Sequence, residues 1–217
     1  MTRKKLLLLG AGGHCRSVLD SIEKNKFSDI VIIDIAENVG QKVAGIPIAG
    51  TDKDLPDFYA QGYSQAFIAL GSIGYSKKRH ELYQTLKGCG FELIQVIDPS
   101  AVISENTCIG EGVFIGKGTI VNTGVEIGSC SIINTGAIID HDCKIGRFSH
   151  LATGVSMSGT VEVGENAHIG TGSFIIQSIK IGSNVLLGAG SVVVSDIRAN
   201  VVAFGNPCKI QRIIEVV

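Results

Sequence analysis

The sequence predicts a small parallel α/β unit over residues 1–97, a parallel β-helix over residues 98–199 and a short tail over residues 200–217. Three observations predict it. An aliphatic residue returns every six positions without a gap from Ile97 to Val193. A second column, four residues further on, is small or β-branched. Ahead of both, short apolar runs alternate with helical stretches and end in glycine-rich turns.

The six-residue register starts at Ile97, Ile103, Ile109, Ile115 and Val121, and ends at Ile181, Leu187 and Val193. Met157 is its one unbranched member. A period of six fits neither a helix at 3.6 nor a lone strand at 2. It fits a solenoid in which each repeat forms one flat side of a coil. The second column, from Thr107, Val113 and Thr119 through Ala137 and Cys143 to Ala167 and Ser173, supplies a small inward residue per repeat. The place after each aliphatic residue is rich in Gly, Asn and Asp: Gly110, Gly116, Asn122, Gly128, Asn134 and Asp140. These types tolerate left-handed backbone angles, so the tight corners are expected there. Three six-residue sides close a triangular prism, with equivalent columns stacked at roughly 4.8 Å.

The α/β unit reads as a strand at Lys5–Leu9, a helix at His14–Glu23 and a strand at Ile30–Ile33. A short strand follows near Pro47–Ile48, then a strand at Ala66–Leu70 and a helix from Ser76 to Lys87 that stops at Gly88 and Gly90. Phe91–Ile97 reads as one extended strand. Strands alternating with helices imply a parallel sheet.

The bulk numbers exclude several classes. A net charge of −1 offers no footprint for nucleic acid or an anionic membrane. The run Leu6–Leu9 is too short to span a bilayer and lacks a signal-peptide layout. Six cysteines without paired spacing or a CxxC read as reduced thiols, which points to the cytoplasm. An aromatic content of 6% with no Trp suits a thin prism with little room for rings.

Gly10, Ala11, Gly12, Gly13 and His14 lie between a strand and a helix. Bare backbone N–H groups at a helix N-terminus attract phosphate. Cys15 stands where a dinucleotide fingerprint has its third glycine, so NAD is not the expected guest. Asp34, at the end of the second strand, can accept from a ribose or base, or simply cap a turn. Gly71 and Ser72 end another strand on the edge where parallel sheets place their ligands. Together these residues suggest a ligand carrying a nucleotide. In the repeat, His141 belongs to an outward column and Cys143 to the inward one, so the two do not share a metal. A neutral imidazole beside a carboxylate, here Asp142, is a serviceable general base near pH 7. His150 and His168, eighteen residues apart, fall in one column on successive coils.

The sequence resembles the hexapeptide-repeat sugar acetyltransferases, specifically the group of sialic-acid O-acetyltransferases and bacterial nucleotide-amino-sugar N-acetyltransferases. The resemblance rests on Leu9 through His14, Ile68 through Gly71, Asn134 through His150, and Gly205-Asn206-Pro207. It implies a left-handed coil, which the period alone does not give. It implies His141 as general base oriented by Asp142, which stands where glutamate is usual in the N-acetyltransferases. It implies Asn134 on the sugar and His150 on acetyl-CoA, with Gly154, Ser158, Gly159, Gly205 and Pro207 along the CoA arm. Gly10, Gly12, Gly13, His14, Asp34, Gly71 and Ser72 would then hold a UDP- or TDP-linked deoxyaminosugar. The implied reaction is direct transfer from acetyl-CoA to a 4-amino group, without a metal, in a homotrimer whose clefts lie between subunits. Three rivals stay open: O-acetylation of sialic acid, a zinc hydrolyase of the carbonic anhydrase type, and a non-catalytic sugar-nucleotide binder.

Overall fold

In the computed structural model, which describes residues 3–215, the chain divides into two compact units. The first contains residues up to Gly71 together with Ser76–Val96; the second contains Ser72–Tyr75 and everything from Ile97 onward.

The first unit is a six-stranded sheet. Its strands are β1 (Lys4–Leu9), β2 (Phe27–Ile33), β3 (Lys42–Val43), β4 (Ile46–Gly50), β5 (Gln65–Ile68) and β6 (Glu92–Leu93), in the order β3-β4-β2-β1-β5-β6. All neighbours are parallel except the β3–β4 hairpin. Leu6–Leu9 pair with β2 on one side and β5 on the other and are wholly buried, which is why a continuous aliphatic run is needed. Helices α1 (Gly13–Ser21), α2 (Leu55–Ala60) and α3 (Lys77–Cys89) complete the unit. Ser76 caps α3 by accepting the Arg79 N–H, and Gly90, at φ +91°, ends it. The expected single strand over 91–97 is instead two: β6 joins this sheet, and Val96–Ile97 opens the prism. Helix α2 is too short to leave a periodic signal.

The second unit is a left-handed parallel β-helix. Two-residue rungs repeat every six residues, and each pairs in parallel register with the rung eighteen residues on. Every third rung shares a face. The first face includes Phe114–Ile115, Ile132–Ile133, His150–Leu151, His168–Ile169 and Leu186–Leu187. The second includes Val102–Ile103, Ile120–Val121, Ile138–Ile139 and Phe174–Ile175; the third includes Cys108–Ile109, Glu126–Ile127, Lys144–Ile145 and Glu162–Val163. The aliphatic and small columns together form the core; Ile133, Ala137, Ile139 and Cys143 are fully buried. The tail folds as an antiparallel hairpin, Val201–Gly205 with Cys208–Ile213, which extends the first face.

The corners depart from the expectation. Left-handed angles fall two places later than the glycine-rich column, at Gly112, Gly124, Gly136, Asp142 and Gly154, with φ between +58° and +73°. The glycines that follow the aliphatic residues serve a different constraint. A Cβ on Gly110, Gly128 or Gly146 would stand 2.5–2.6 Å from a backbone nitrogen of the next coil. Glycine is required there by coil stacking, not by a left-handed angle.

Gly146→Ala therefore should cost about 1–3 kcal/mol, as forced overpacking does. Gly88→Ala, in a helix with open space around the added methyl, should instead stabilise by about 0.5–1 kcal/mol. Denaturant melts of the two variants check this; equal effects would remove the stacking constraint.

Candidate active site

Asp140, His141 and Asp142 form the corner that follows the Ile138–Ile139 rung. Ile139 and Cys143 are held inward at 0% exposure, so the three residues between them are thrust out from the prism. Asp140 Oδ1 accepts the His141 N–H at 2.8 Å and the Asn122 amide from the preceding coil at 2.8 Å. These two bonds hold the Asp140 carboxyl below its ordinary range, the Asn122 bond foremost. Asp142, at φ +58°, places Oδ2 2.9 Å from His141 Nδ1. A carboxylate only accepts, so Nδ1 carries the proton and Nε2 is the bare, basic nitrogen. The Asp142 bond first, then the charge of Asp140, raise the His141 pKa above its usual value. The ring lies over Gly159: a Cβ there would sit 2.5 Å from His141 Nε2. Gly159 is thus the residue that leaves room for the base.

The first face carries a second cluster. His150 Nδ1 lies 2.8 Å from the Ser72 carbonyl, so this nitrogen also carries the proton. Its Nε2 faces the Asn134 side-chain amide at 3.4 Å. Asn134 is itself anchored, its Oδ1 accepting the Thr135 N–H at 2.8 Å. Asn134 and His150 are therefore brought together as a pair. Ser72, expected beside the glycine loop, instead belongs with the prism unit and serves through its backbone carbonyl. Ser158 and Gly159 lie one coil beyond His141; Ser158 O accepts the Cys143 thiol at 3.2 Å. Burial raises the Cys143 pKa, so this inward sulfur is a packing group. Gly154 stacks on the corner after Asn134, its N–H bonding the Thr135 carbonyl at 3.0 Å. Gly205 and Pro207 lie at the turn of the tail hairpin, on the same face as His150.

In the first unit, the glycine loop leaves β1 at the point where the sheet runs out in both directions, β2 on one side and β5 on the other. This is the switch point at which open α/β sheets bind ligands. Gly10 has φ +105°, and a Cβ on it would meet Leu70 Cδ1, so only glycine fits. Gly12 caps α1 without a side chain, and neither it nor Gly13 has an atom within 4 Å of an added Cβ. The loop therefore presents open backbone at a helix N-terminus. Gly71 packs on His14, an added Cβ lying 3.4 Å from the His14 Cβ. Asp34 ties the loop down: Oδ2 accepts the Ala11 N–H at 2.5 Å and Oδ1 accepts the Ile35 N–H at 2.7 Å. Burial, together with the Asp34 charge, pushes the Cys15 thiol up to about 12.

Behind the loop lies a cavity of about 220 Å³ lined by Leu9, Gly10, Asp34, Ile35, Leu70 and Leu82, with Asp52 and Lys78 also on its wall. Lys78 Nζ meets Asp52 Oδ2 at 2.5 Å, and that bond lowers the Asp52 pKa. Sequence reasoning missed Asp52 and Lys78. Asp52 follows β4, so the strand-end rule that selected Asp34 would have found it had that strand been extended to Gly50. A larger trough of about 920 Å³ follows the third face, but it is lined by alternating Glu126, Lys144, Glu162 and Lys180 and holds no histidine. Among the described residues no group of three His, Cys, Asp or Glu is placed to hold a metal ion. All six cysteines are free, and no described helix is long and apolar enough to cross a membrane.

Comparison with known proteins agrees with both units. Residues 5–86 match the PglD N-terminal domain. Residues 107–141, 160–195 and 178–202 match the hexapeptide repeat of succinyl-transferase. PerB from Caulobacter crescentus, solved with CoA and GDP-perosamine, is 38% identical over 96% of this chain and 97% of its own, with a TM-score of 0.89. The acetyltransferase domain of PglB from Neisseria gonorrhoeae FA1090, solved with acetyl coenzyme A, is 31% identical over 97% of this chain and 100% of its own, also at 0.89. GDP-perosamine N-acetyltransferase of Escherichia coli O157:H7 is 28% identical over 142 residues, 63% of this chain; the match spans 62% of that relative's length. With the glycine-loop sheet, the six-residue prism and the His141 corner all in place, the chain belongs to the hexapeptide-repeat acetyltransferases of nucleotide-linked aminosugars.

Proposed function

We propose that this protein transfers the acetyl group of acetyl-CoA directly to the 4-amino group of a nucleoside-diphosphate-linked deoxyaminosugar, with His141 as general base. The observation that carries this reading is the His141–Asp142 pair on an outward corner, with Nε2 bare and Gly159 beneath it. The amine nitrogen attacks the thioester carbonyl and loses a proton to His141 Nε2, while Nδ1–H stays bonded to Asp142. Collapse of the tetrahedral adduct expels the CoA thiolate. Among the described residues the Gly159 N–H has no backbone acceptor, which suits it to the developing oxyanion. Asn134 is assigned to the sugar and His150 to acetyl-CoA. Gly154, Ser158, Gly205 and Pro207 are assigned to the rest of the CoA arm. No thiol acts as nucleophile, consistent with the raised pKa of Cys143.

The first unit is assigned the nucleotide. Gly12 and Gly13 offer N–H groups to the diphosphate, with His14 beside them. Gly10 and Gly71 let the chain pass close, and Asp34 holds the loop while facing the cavity. A free sialic acid would leave this machinery idle, which favours the nucleotide-linked acceptor over the O-acetylation rival. The family resemblance implies uridine or thymidine. The PerB structure and the curated relative are named for GDP-perosamine, so guanosine joins the candidates.

The active unit is proposed to be a homotrimer in the cytoplasm. The second face bears an outward apolar stripe, Val102, Ile120, Ile138 and Phe174, between 38% and 65% exposed. A row of this kind supports burial against a neighbouring prism. It runs past the His141 corner, so the neighbour would close the cleft that a single flat face lacks.

Three results would test the reading. A panel of UDP-, TDP- and GDP-linked 4-aminosugars with acetyl-CoA should release free thiol for at least one, and His141→Ala should lower that rate by about 10² to 10⁴. Turnover of free sialic acid alone would hand the activity to the rival. The rate should also fall as pH drops through the His141 pKa, because only the neutral ring accepts a proton. That pKa lies above the ordinary histidine value. Asp142→Asn should move this acid limb to lower pH and depress the plateau; a limb that stays in place would remove Asp142 as the orienting group. Finally, Phe174→Glu should convert the species seen by light scattering from trimer to monomer. An unchanged mass would show that this stripe is not the interface.

A further inference from the structure

His168 has no part in the reaction described above, yet it is one of the least expected residues on the prism. The outward column of the first face is otherwise apolar where it is covered: Phe114 and Ile132 are each 1% exposed. Two histidines continue that column. His150 and His168 are register partners on adjacent coils. Their ring centroids lie 4.8 Å apart with planes at 84°, an edge-to-face pair. His168 is 8% exposed, and its Nδ1 has no hydrogen-bond partner among the described residues. Burial, reinforced by His150, pushes the ring down to about 4, so it is neutral at physiological pH. A leucine, as at the next rung, would fill this place without burying an unpaired nitrogen. The imidazole is therefore placed there against a cost, and it packs on the ring of His150.

We propose that His168 is a positioning residue that holds the His150 imidazole in one plane and one tautomer. His150 is fixed at its two nitrogens by Ser72 O and the Asn134 amide, 2.8 and 3.4 Å away. Both contacts lie in the plane of the ring. His168 packs against the ring at right angles to that plane and limits its tilting out of it. The 3.4 Å bond to Asn134 is the weaker of the two and is lost first if the ring tilts. A rigid His150 keeps its own ring and the Asn134 amide that it accepts from at constant positions, as side chains that position bound substrates must be. The proposal rests on the acetyl-transfer reading only for the choice of kinetic assay.

The experiment uses the full-length protein labelled with ¹⁵N-histidine, as wild type, His168→Ala and His168→Phe. In the wild type the His150 ring nitrogens should report a single Nδ1–H tautomer. In His168→Ala they should report exchange between tautomers, and the KM for acetyl-CoA should rise about tenfold, a coupling typical of contacting residues. His168→Phe, which restores a ring at the same place, should recover both the tautomer and the KM. An unchanged His150 spectrum in His168→Ala overturns the proposal. So does a spectrum that His168→Phe fails to restore, or a loss that tracks the melting temperature across both variants. A loosened tautomer with an unchanged acetyl-CoA KM upholds the positioning role and removes His150 from the acetyl-CoA site instead.

Discussion

The molecule depends on one repeated contact: a backbone N–H on each rung bonding a carbonyl on the coil that follows. His150 N to Ala167 O at 2.8 Å, Asn134 N to Leu151 O at 2.9 Å and Asp140 N to Met157 O at 3.0 Å are instances. Because these bonds recur at fixed register, every side chain inherits its direction from its place in the repeat. Ile139 and Cys143 must point in, so the residues between them must point out. The corner that bears His141 is thus a by-product of stacking, and needs no dedicated loop. The same register sets Asn122 beside Asp140, and His150 beside His168.

The first unit reaches its geometry by another route. A buried four-leucine strand, paired on both sides, delivers the chain to a turn that favours glycine because its φ is +105°, with Leu70 packed close against it. Asp34 then fastens that turn from the neighbouring strand. Both oxygens of Asp34 are engaged by backbone N–H groups, so its first duty is to shape the loop. A ligand meets a carboxylate already fixed in place, which lowers the ordering cost of binding.

Much of this was legible in the sequence, for a physical reason. A solenoid has only nearest-neighbour contacts, so its period encodes its core directly, and inward and outward columns follow from counting. His141 outward, Cys143 inward and the stacking of His150 on His168 are all register statements. What the period could not carry was the backbone angle at each corner. Glycine at Gly146 and glycine at Gly154 look alike in sequence, yet one avoids the next coil and the other supplies a left-handed turn. The contact of Ser72 with His150 was not legible because a backbone carbonyl leaves no side-chain signature. Asp52 and Lys78 were missed because an ion pair between residues 26 apart has no periodicity to betray it. The tail hairpin escaped because the register that had explained everything before it stops at Val193.

Asp142 is one of several non-glycine residues that adopt a left-handed angle at the prism corners, with Cys130, Phe148, Thr160 and Asn166 among the others. Aspartate and asparagine accept that conformation more readily than most residues, because their short polar group can bond locally. Geometry and electrostatics thus select the same residue. The backbone admits a short acid, and the short acid reaches the adjacent imidazole without spanning a gap. A longer acid at this place would gain reach and lose conformational ease, so the length of the acid and the shape of the corner should vary together among proteins built on this prism.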